Sequence, residues 1–147
     1  MHHRLPKPEN ITVFLADDSP ILRTRLRELI ADVANVEVVG EADNAQDAER
    51  FIREIRPDVV IVDIRMPGGD GIGLMERIRR QNVQSLGIIL TNYPFSQMRK
   101  KSFAAGADFF FDKSTEFDRV AKTLNLLVKV RGEKFPCVLD DLFWEVA

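Results

Sequence analysis

Five polar residues each stand at or just past the end of a short apolar run. Asp17 and Asp18 follow Val13-Phe14-Leu15-Ala16, Asp63 follows Val59-Val60-Ile61-Val62, Thr91 follows Ile88-Ile89-Leu90, and Lys113 follows Phe109-Phe110-Phe111-Asp112. A carboxylate is costly to bury unless it is paired or bound to a cation. Asp63, with Met66-Pro67-Gly68-Gly69-Asp70-Gly71 behind it, therefore marks a site rather than a packing position. Three carboxylates in one small pocket raise one another's pKa values unless a cation joins them. Oxygen-only ligands suit Mg²⁺, which is held by one or two carboxylates plus phosphate oxygens. Such an ion keeps Asp63 ionised and neutralises charge on an incoming phosphoryl group. A lysine reaches phosphoryl oxygens as a mobile point charge, and a threonine hydroxyl donates to one of them. An aspartate nucleophile attacking phosphorus gives an acyl phosphate. The chemistry these residue types point to is acceptance of a phosphoryl group by Asp63.

Asp17 and Lys113 are 96 residues apart, so a fold has to bring the set together. Apolar runs and helical periods alternate five times. Strands are expected over 11–16, 36–40, 59–62, 86–90 and 108–111, since these runs are short and mostly β-branched or aromatic. Ser19 with Pro20 starts a first helix as N-cap and first helical residue, and Leu22, Leu26, Leu29 and Val33 form its inner face. Asp43 or Asn44 caps a second helix with Ala48, Ile52 and Ile55 inward, and Pro57 stops it. A third helix spans 71–80 with Met75 and Ile78 inward. Ser96 caps a fourth that ends near Gly106. Thr115 caps a fifth with Phe117, Val120, Ala121, Leu124 and Val128 inward. The continuous apolar run at 59–62 implies a strand buried on both faces, as in a parallel sheet. The repeating order argues for an α/β sheet covered on both sides, and right-handed crossovers leave only a few doubly wound topologies. In such sheets ligands bind beyond the carboxyl ends of the strands, where all five polar residues fall.

The bulk numbers agree with one domain. The chain has 147 residues, 45% hydrophobic and 30% charged, which is the balance of a folded globular protein rather than a disordered one. A net charge of −2 gives no electrostatic reason to expect nucleic-acid binding. Cys137 is the single cysteine, so no intrachain disulfide forms and a cytoplasmic location is expected. No apolar stretch approaches the roughly 18–20 residues of a membrane span. Residues 1–9, with His2 and His3, are expected to be a flexible polar segment rather than a metal pair. Residues 132–147 form a C-terminal tail, acidic and apolar, with Asp140-Asp141-Leu142-Phe143-Trp144.

The set Asp17-Asp18, Asp63 with Met66-Pro67 and Asp70-Gly71, Thr91, and Lys113 in Phe111-Asp112-Lys113 resembles that of a response-regulator receiver domain, the phosphoacceptor half of two-component signalling. The resemblance covers about residues 10–131. It implies a flavodoxin-like (βα)5 fold with strand order 2-1-3-4-5 and phosphorylation on Asp63. It also implies Mg²⁺ bound directly by Asp18, Asp63 and the backbone carbonyl of Arg65, with Asp17 acting through water. Phe110, three residues before Lys113, matches the family's switch aromatic. Arg65 and Tyr93 lie two residues after Asp63 and Thr91, where the family's side chains flank the route of an attacking water. Two departures stand out: Ser114 follows the lysine where the family often has a cis proline, and Asn92 follows Thr91 where a smaller residue is usual.

The expected function is a phosphorylation-dependent switch. It would accept a phosphoryl group from a histidine kinase or phosphotransfer protein and signal through protein contacts of the surface formed by helix four, strand five and helix five. A phosphorylation-dependent dimer is a further expectation. With no room for a DNA-binding output domain after residue 131, a protein partner or a phosphorelay role is expected. The receiver part of a longer DNA-binding regulator is the alternative. A Mg²⁺-dependent aspartyl-phosphate hydrolase is disfavoured, because such enzymes need a carboxylate where Arg65 stands. Plainer readings exist for each part: Asp17-Asp18 as acids at a helix start, Thr91 as a turn cap, Lys113 as a surface lysine and Phe110 as core. Arg23, Arg25 and Arg27, and Arg99-Lys100-Lys101, read as solvated helix faces.

Overall fold

Backbone hydrogen bonds join five short strands into one parallel sheet in the computed structural model, which describes residues 10–130. His2, His3, Cys137, Phe143 and Trp144 lie outside the described residues. The strands are β1 (Ile11–Ala16), β2 (Val36–Ala42), β3 (Val59–Val62), β6 (Leu86–Thr91) and β7 (Phe109–Asp112). Between β3 and β6 a two-stranded antiparallel ribbon intervenes, β4 (Arg65–Met66) with β5 (Gly69–Asp70). The sheet order is β2-β1-β3-β6-β7, all parallel, which is the expected 2-1-3-4-5 once the ribbon is set aside. The helices are α1 (Pro20–Ala31), α2 (Ala45–Ile55), α3 (Gly71–Arg80), α4 (Ser96–Ala104) and α5 (Arg119–Lys129).

Side chains alternate across a strand, and the alternation builds two cores. Ile11, Val13 and Leu15 of β1 face one way, with Val59, Ile61, Ile88 and Leu90, against Leu22, Leu26 and Ile30 of α1 and Val120, Leu124 and Leu127 of α5. Phe14 and Ala16 face the other way, with Val60, Val62, Ile89 and Phe110, against Ala48 and Ile52 of α2 and Leu74, Met75 and Ile78 of α3. At the site end the sheet's bonding continues past the strands. The Asp17 N–H donates to the Ala42 carbonyl (3.1 Å), Asp63 to Ala16 (2.9 Å) and Lys113 to Thr91 (2.9 Å). The residues that leave the sheet are thus fixed in register by the sheet itself.

Several local signals act as expected. Ser19 Oγ accepts from the Leu22 N–H and Pro20 opens α1; Asn44 rather than Asp43 caps α2. Gly106 follows α4 at φ +106°, as a C′ glycine does. Others differ. Ile30, not Leu29, is the deeper residue of α1. Ser96 is the first helical residue of α4, and Phe95 occupies the cap with no side-chain bond. Thr115 does not cap α5, which begins four residues later at Arg119. There the Asp112 side chain accepts from the Ser114 N–H (2.8 Å) and Glu116 reaches back to the Asp112 N–H (3.0 Å), bonds that hold the segment as a turn instead of a helix.

Candidate functional site

Two buried carboxylates share one ammonium at the carboxyl ends of β1, β3 and β7. Lys113 Nζ donates to Asp17 Oδ2 at 2.8 Å and to Asp63 Oδ2 at 3.0 Å. All three side chains are at least nine-tenths buried. Asp17 Oδ1 accepts from the Ser19 N–H (2.8 Å), so the first turn of α1 holds it. Arg23 donates to the Asp17 carbonyl and pairs with Glu41 (3.1 Å), which ties the β1–α1 junction to β2. Asp18 is exposed beside them. One oxygen from each of Asp17, Asp18 and Asp63 lies within 4.8 Å of the others.

Asp63 Oδ1 is buried and has no hydrogen-bond partner, a costly state for a carboxylate oxygen. Burial pushes the Asp63 carboxyl above its ordinary value; the Lys113 ammonium opposes that and the Asp17 charge adds to it. Three carboxylates against one ammonium leave two negative charges, which a divalent cation balances. The orphaned oxygen and the all-oxygen donor set fit Mg²⁺. The Arg65 carbonyl belongs to β4, two residues past Asp63.

The ribbon closes over Asp63 because position 71 is glycine. The Gly71 N–H donates to the Ile64 carbonyl at 2.7 Å, and a Cβ there would lie 2.1 Å from the Asp63 carbonyl oxygen. Pro67 and Gly68 (φ +80°) make the turn, residues suited to the two central positions of a type II turn. Asp70 is used as the cap of α3, accepting from the Gly73 N–H at 2.6 Å.

Thr91 is fully buried, and its hydroxyl oxygen accepts from the Tyr93 N–H at 3.0 Å. The Arg65 guanidinium lies 4.0 Å from the centroid of the Tyr93 ring, so these two residues form one stack. Phe110 is 4% exposed and packed in the core on the α2–α3 side. Arg99 of α4 donates to its carbonyl (3.4 Å) and stands 5.7 Å from its ring centroid. Asn92, Lys113 and Ser114 border a cleft of about 300 Å³ with Ser19, Ile21, Leu22 and Arg25.

The structure therefore brings Asp17, Asp18, Asp63 and Lys113 into one pocket and joins Arg65 to Tyr93. Sequence reasoning missed the Arg65–Tyr93 stack and the contacts of Arg99, which depend on side-chain geometry that spacing does not carry. It also missed the need for glycine at position 71, although the Gly68-Gly69-Asp70-Gly71 run was a signal for close backbone approach.

A family model described as the response regulator receiver domain matches residues 13–125. The nitrate/nitrite response regulator protein NarL of Escherichia coli K12 is 27% identical over 117 residues, covering 80% of this chain and 54% of that protein. The response regulator GacA of Pseudomonas aeruginosa is 27% identical over 114 residues, covering 78% and 53%. The chain thus spans about half the length of these curated relatives. Among solved structures, a LuxR-family two-component response regulator from Aurantimonas sp. SI85-9A1 superposes with a TM-score of 0.76 at 30% identity, covering 92% of this chain and 97% of that one. The response regulator domain of Thermotoga maritima CheB gives 0.74 at 26%, covering 86% and 99%. With 113 residues matched by the family model and the same fold in both neighbours, the chain belongs to the response-regulator receiver family of two-component signalling.

Proposed function

We propose that this receiver takes a phosphoryl group onto Asp63 from a phosphohistidine of a histidine kinase or phosphotransfer protein. The observation that carries the reading is the partnerless Asp63 Oδ1, buried in an acidic triad that also holds Lys113. An Asp63 oxygen attacks phosphorus in line. The new O–P bond forms as the N–P bond breaks, and the electron pair returns to the imidazole nitrogen. Asp18, Asp63 and the Arg65 carbonyl would hold Mg²⁺, with Asp17 acting through water, and the bound ion would supply charge neutralisation. Lys113 leaves its carboxylate pair to hold a phosphoryl oxygen. Thr91 already accepts from the Tyr93 N–H, so its own hydroxyl proton is available to a second oxygen. Drawing Thr91 toward the phosphoryl group favours the inward position of Phe110, and the two states of this pair bias α4, β7 and α5 toward or away from a downstream protein. A relay intermediate would use the same first step and then return the phosphoryl group to another histidine.

The test is incubation with a small acyl or amido phosphate donor and Mg²⁺, followed by intact mass measurement. One added phosphoryl group is expected, lost on chelation of Mg²⁺ before the donor is added and lost in Asp63→Ala. An adduct that survives Asp63→Ala overturns the assignment.

A further inference from the structure

Helix α4 is attached to the sheet differently from the other four helices. α1, α2, α3 and α5 each bury three or four residues. α4 buries only Ser102, and the Ser102 hydroxyl bonds back to the Met98 carbonyl of its own helix. Its N-terminus, like that of α5, has no side-chain cap. Met98 and Phe103 are only partly buried. Little apolar burial therefore holds α4 down, and elements with little burial are the ones that open first.

Among the described residues, Arg99 is the α4 side chain that hydrogen-bonds to the sheet, donating to the Phe110 carbonyl. Its guanidinium stands 5.2 Å from the Phe103 ring of its own helix and 5.7 Å from the Phe110 ring of β7. α4 contains no acidic residue, and Lys100 and Lys101 follow Arg99 directly. The cation is thus placed on two aromatic faces and a carbonyl rather than in a carboxylate pair, an arrangement that a planar guanidinium serves better than an ammonium.

We propose that Arg99 is a positioning residue, a latch that holds α4 to β7 through Phe110 and so sets how strongly α4 responds to the state of Asp63. The coupling half of this rests on the reading above, in which the inward position of Phe110 accompanies phosphorylation; the latching half does not. Because coupling is reciprocal, a contact that stabilises inward Phe110 also tightens binding of any phosphoryl mimic that favours it. A cation over an aromatic ring at an exposed site, as Arg99 is, corresponds to an effect of about two- to fivefold.

Two measurements on the whole chain test the proposal. The first is hydrogen exchange of residues 96–104 in the unmodified protein, with α1 as internal reference. Arg99→Gln speeds exchange in α4 by about two- to fivefold and leaves α1 unchanged, Arg99→Lys falls between, and the control Lys100→Gln matches wild type. Equal α4 exchange in Arg99→Gln and wild type, or an equal rise in Lys100→Gln, overturns the latch. The second is calorimetric titration with beryllofluoride and Mg²⁺. Arg99→Gln weakens binding by the same factor; unchanged affinity beside faster α4 exchange overturns the coupling. Failure of the wild type to bind beryllofluoride counts against the phosphoryl-acceptor reading and against the coupling, while the exchange data still decide the latch.

Discussion

Lys113 has two tasks at different stages of the proposed reaction. In this structure it pairs with both Asp17 and Asp63; in the proposed reaction it then holds a phosphoryl oxygen. Removing one member of a buried ion pair leaves the other charge unpaired, which costs about 3–5 kcal/mol. Lys113→Met is therefore expected to lower unfolding free energy by roughly 3 kcal/mol or more in metal-free buffer, with part of the loss recovered in Mg²⁺. Urea melts with and without the ion measure this; equal loss in both conditions would show that no cation compensates the triad. The Arg65–Tyr93 stack leads to a second expectation. Both side chains are large and are held against each other at 4.0 Å, beside the proposed path of an attacking water. Arg65→Ala and Tyr93→Ala are expected to shorten the lifetime of the acyl phosphate several-fold, as followed by loss of the phosphoryl mass after the donor is removed. The double variant should do little more than either single one, since the two residues act as a unit. Unchanged lifetimes would remove the stack from the chemistry.

At the scale of elements, the ribbon β4–β5 depends on Gly71. A methyl at that position would meet the Asp63 carbonyl oxygen at 2.1 Å and Val62 Cγ1 at 2.7 Å. Gly71→Ala is expected to cost about 1–3 kcal/mol in stability and to weaken Mg²⁺ binding, because the backbone that moves carries both Asp63 and the Arg65 carbonyl. Full Mg²⁺ affinity in a destabilised Gly71→Ala protein would separate the ribbon from the metal site. The elements also show what was legible beforehand. The apolar run Val59–Val62 and the Ser19-Pro20 helix start depend on local chemistry, and they fall where the residues indicate. The five polar positions at strand ends could be grouped because a parallel sheet brings those ends together. The start of α5 was not legible, since Asp112 and Glu116 bond to the backbone N–H groups of Ser114 and Asp112 and hold that segment as a turn. The contacts of Arg99 were hidden as well: an arginine next to two lysines reads as a solvated face until the ring of Phe110 is seen beneath it.

Over the whole molecule, the sheet has two unlike ends. The carboxyl end holds the acidic triad, and the opposite end is pinned by polar bonds. Asp58 accepts from the Thr12 N–H (2.9 Å) and hydroxyl (3.2 Å), Ser85 donates to the Pro57 carbonyl, and Asp108 accepts from the Gly87 N–H (2.8 Å) and pairs with Arg79 (3.3 Å). Burial pushes the Asp108 carboxyl above its ordinary value of 3.8, against the pull of the Gly87 N–H and Arg79. The folded protein thus binds this proton more tightly than the unfolded chain does. Ionised Asp108 carries a stability cost that is present at neutral pH and vanishes as pH falls through the raised folded value toward 3.8. Relative to Asp108→Asn, the wild type is expected to gain stability on acidification through that window; denaturant melts of both at neutral pH and near pH 4 compare them, and a difference that is flat or runs the other way counts against the assignment. These pins stand apart from the acidic triad, and that separation has a consequence for how such a chain can vary. Changes around Asp58 and Asp108 act on how long the molecule survives without touching the triad, whereas changes at Lys113 or Gly71 beside Asp63 alter durability and message together, so a lineage can adjust durability alone only from the far end of the sheet.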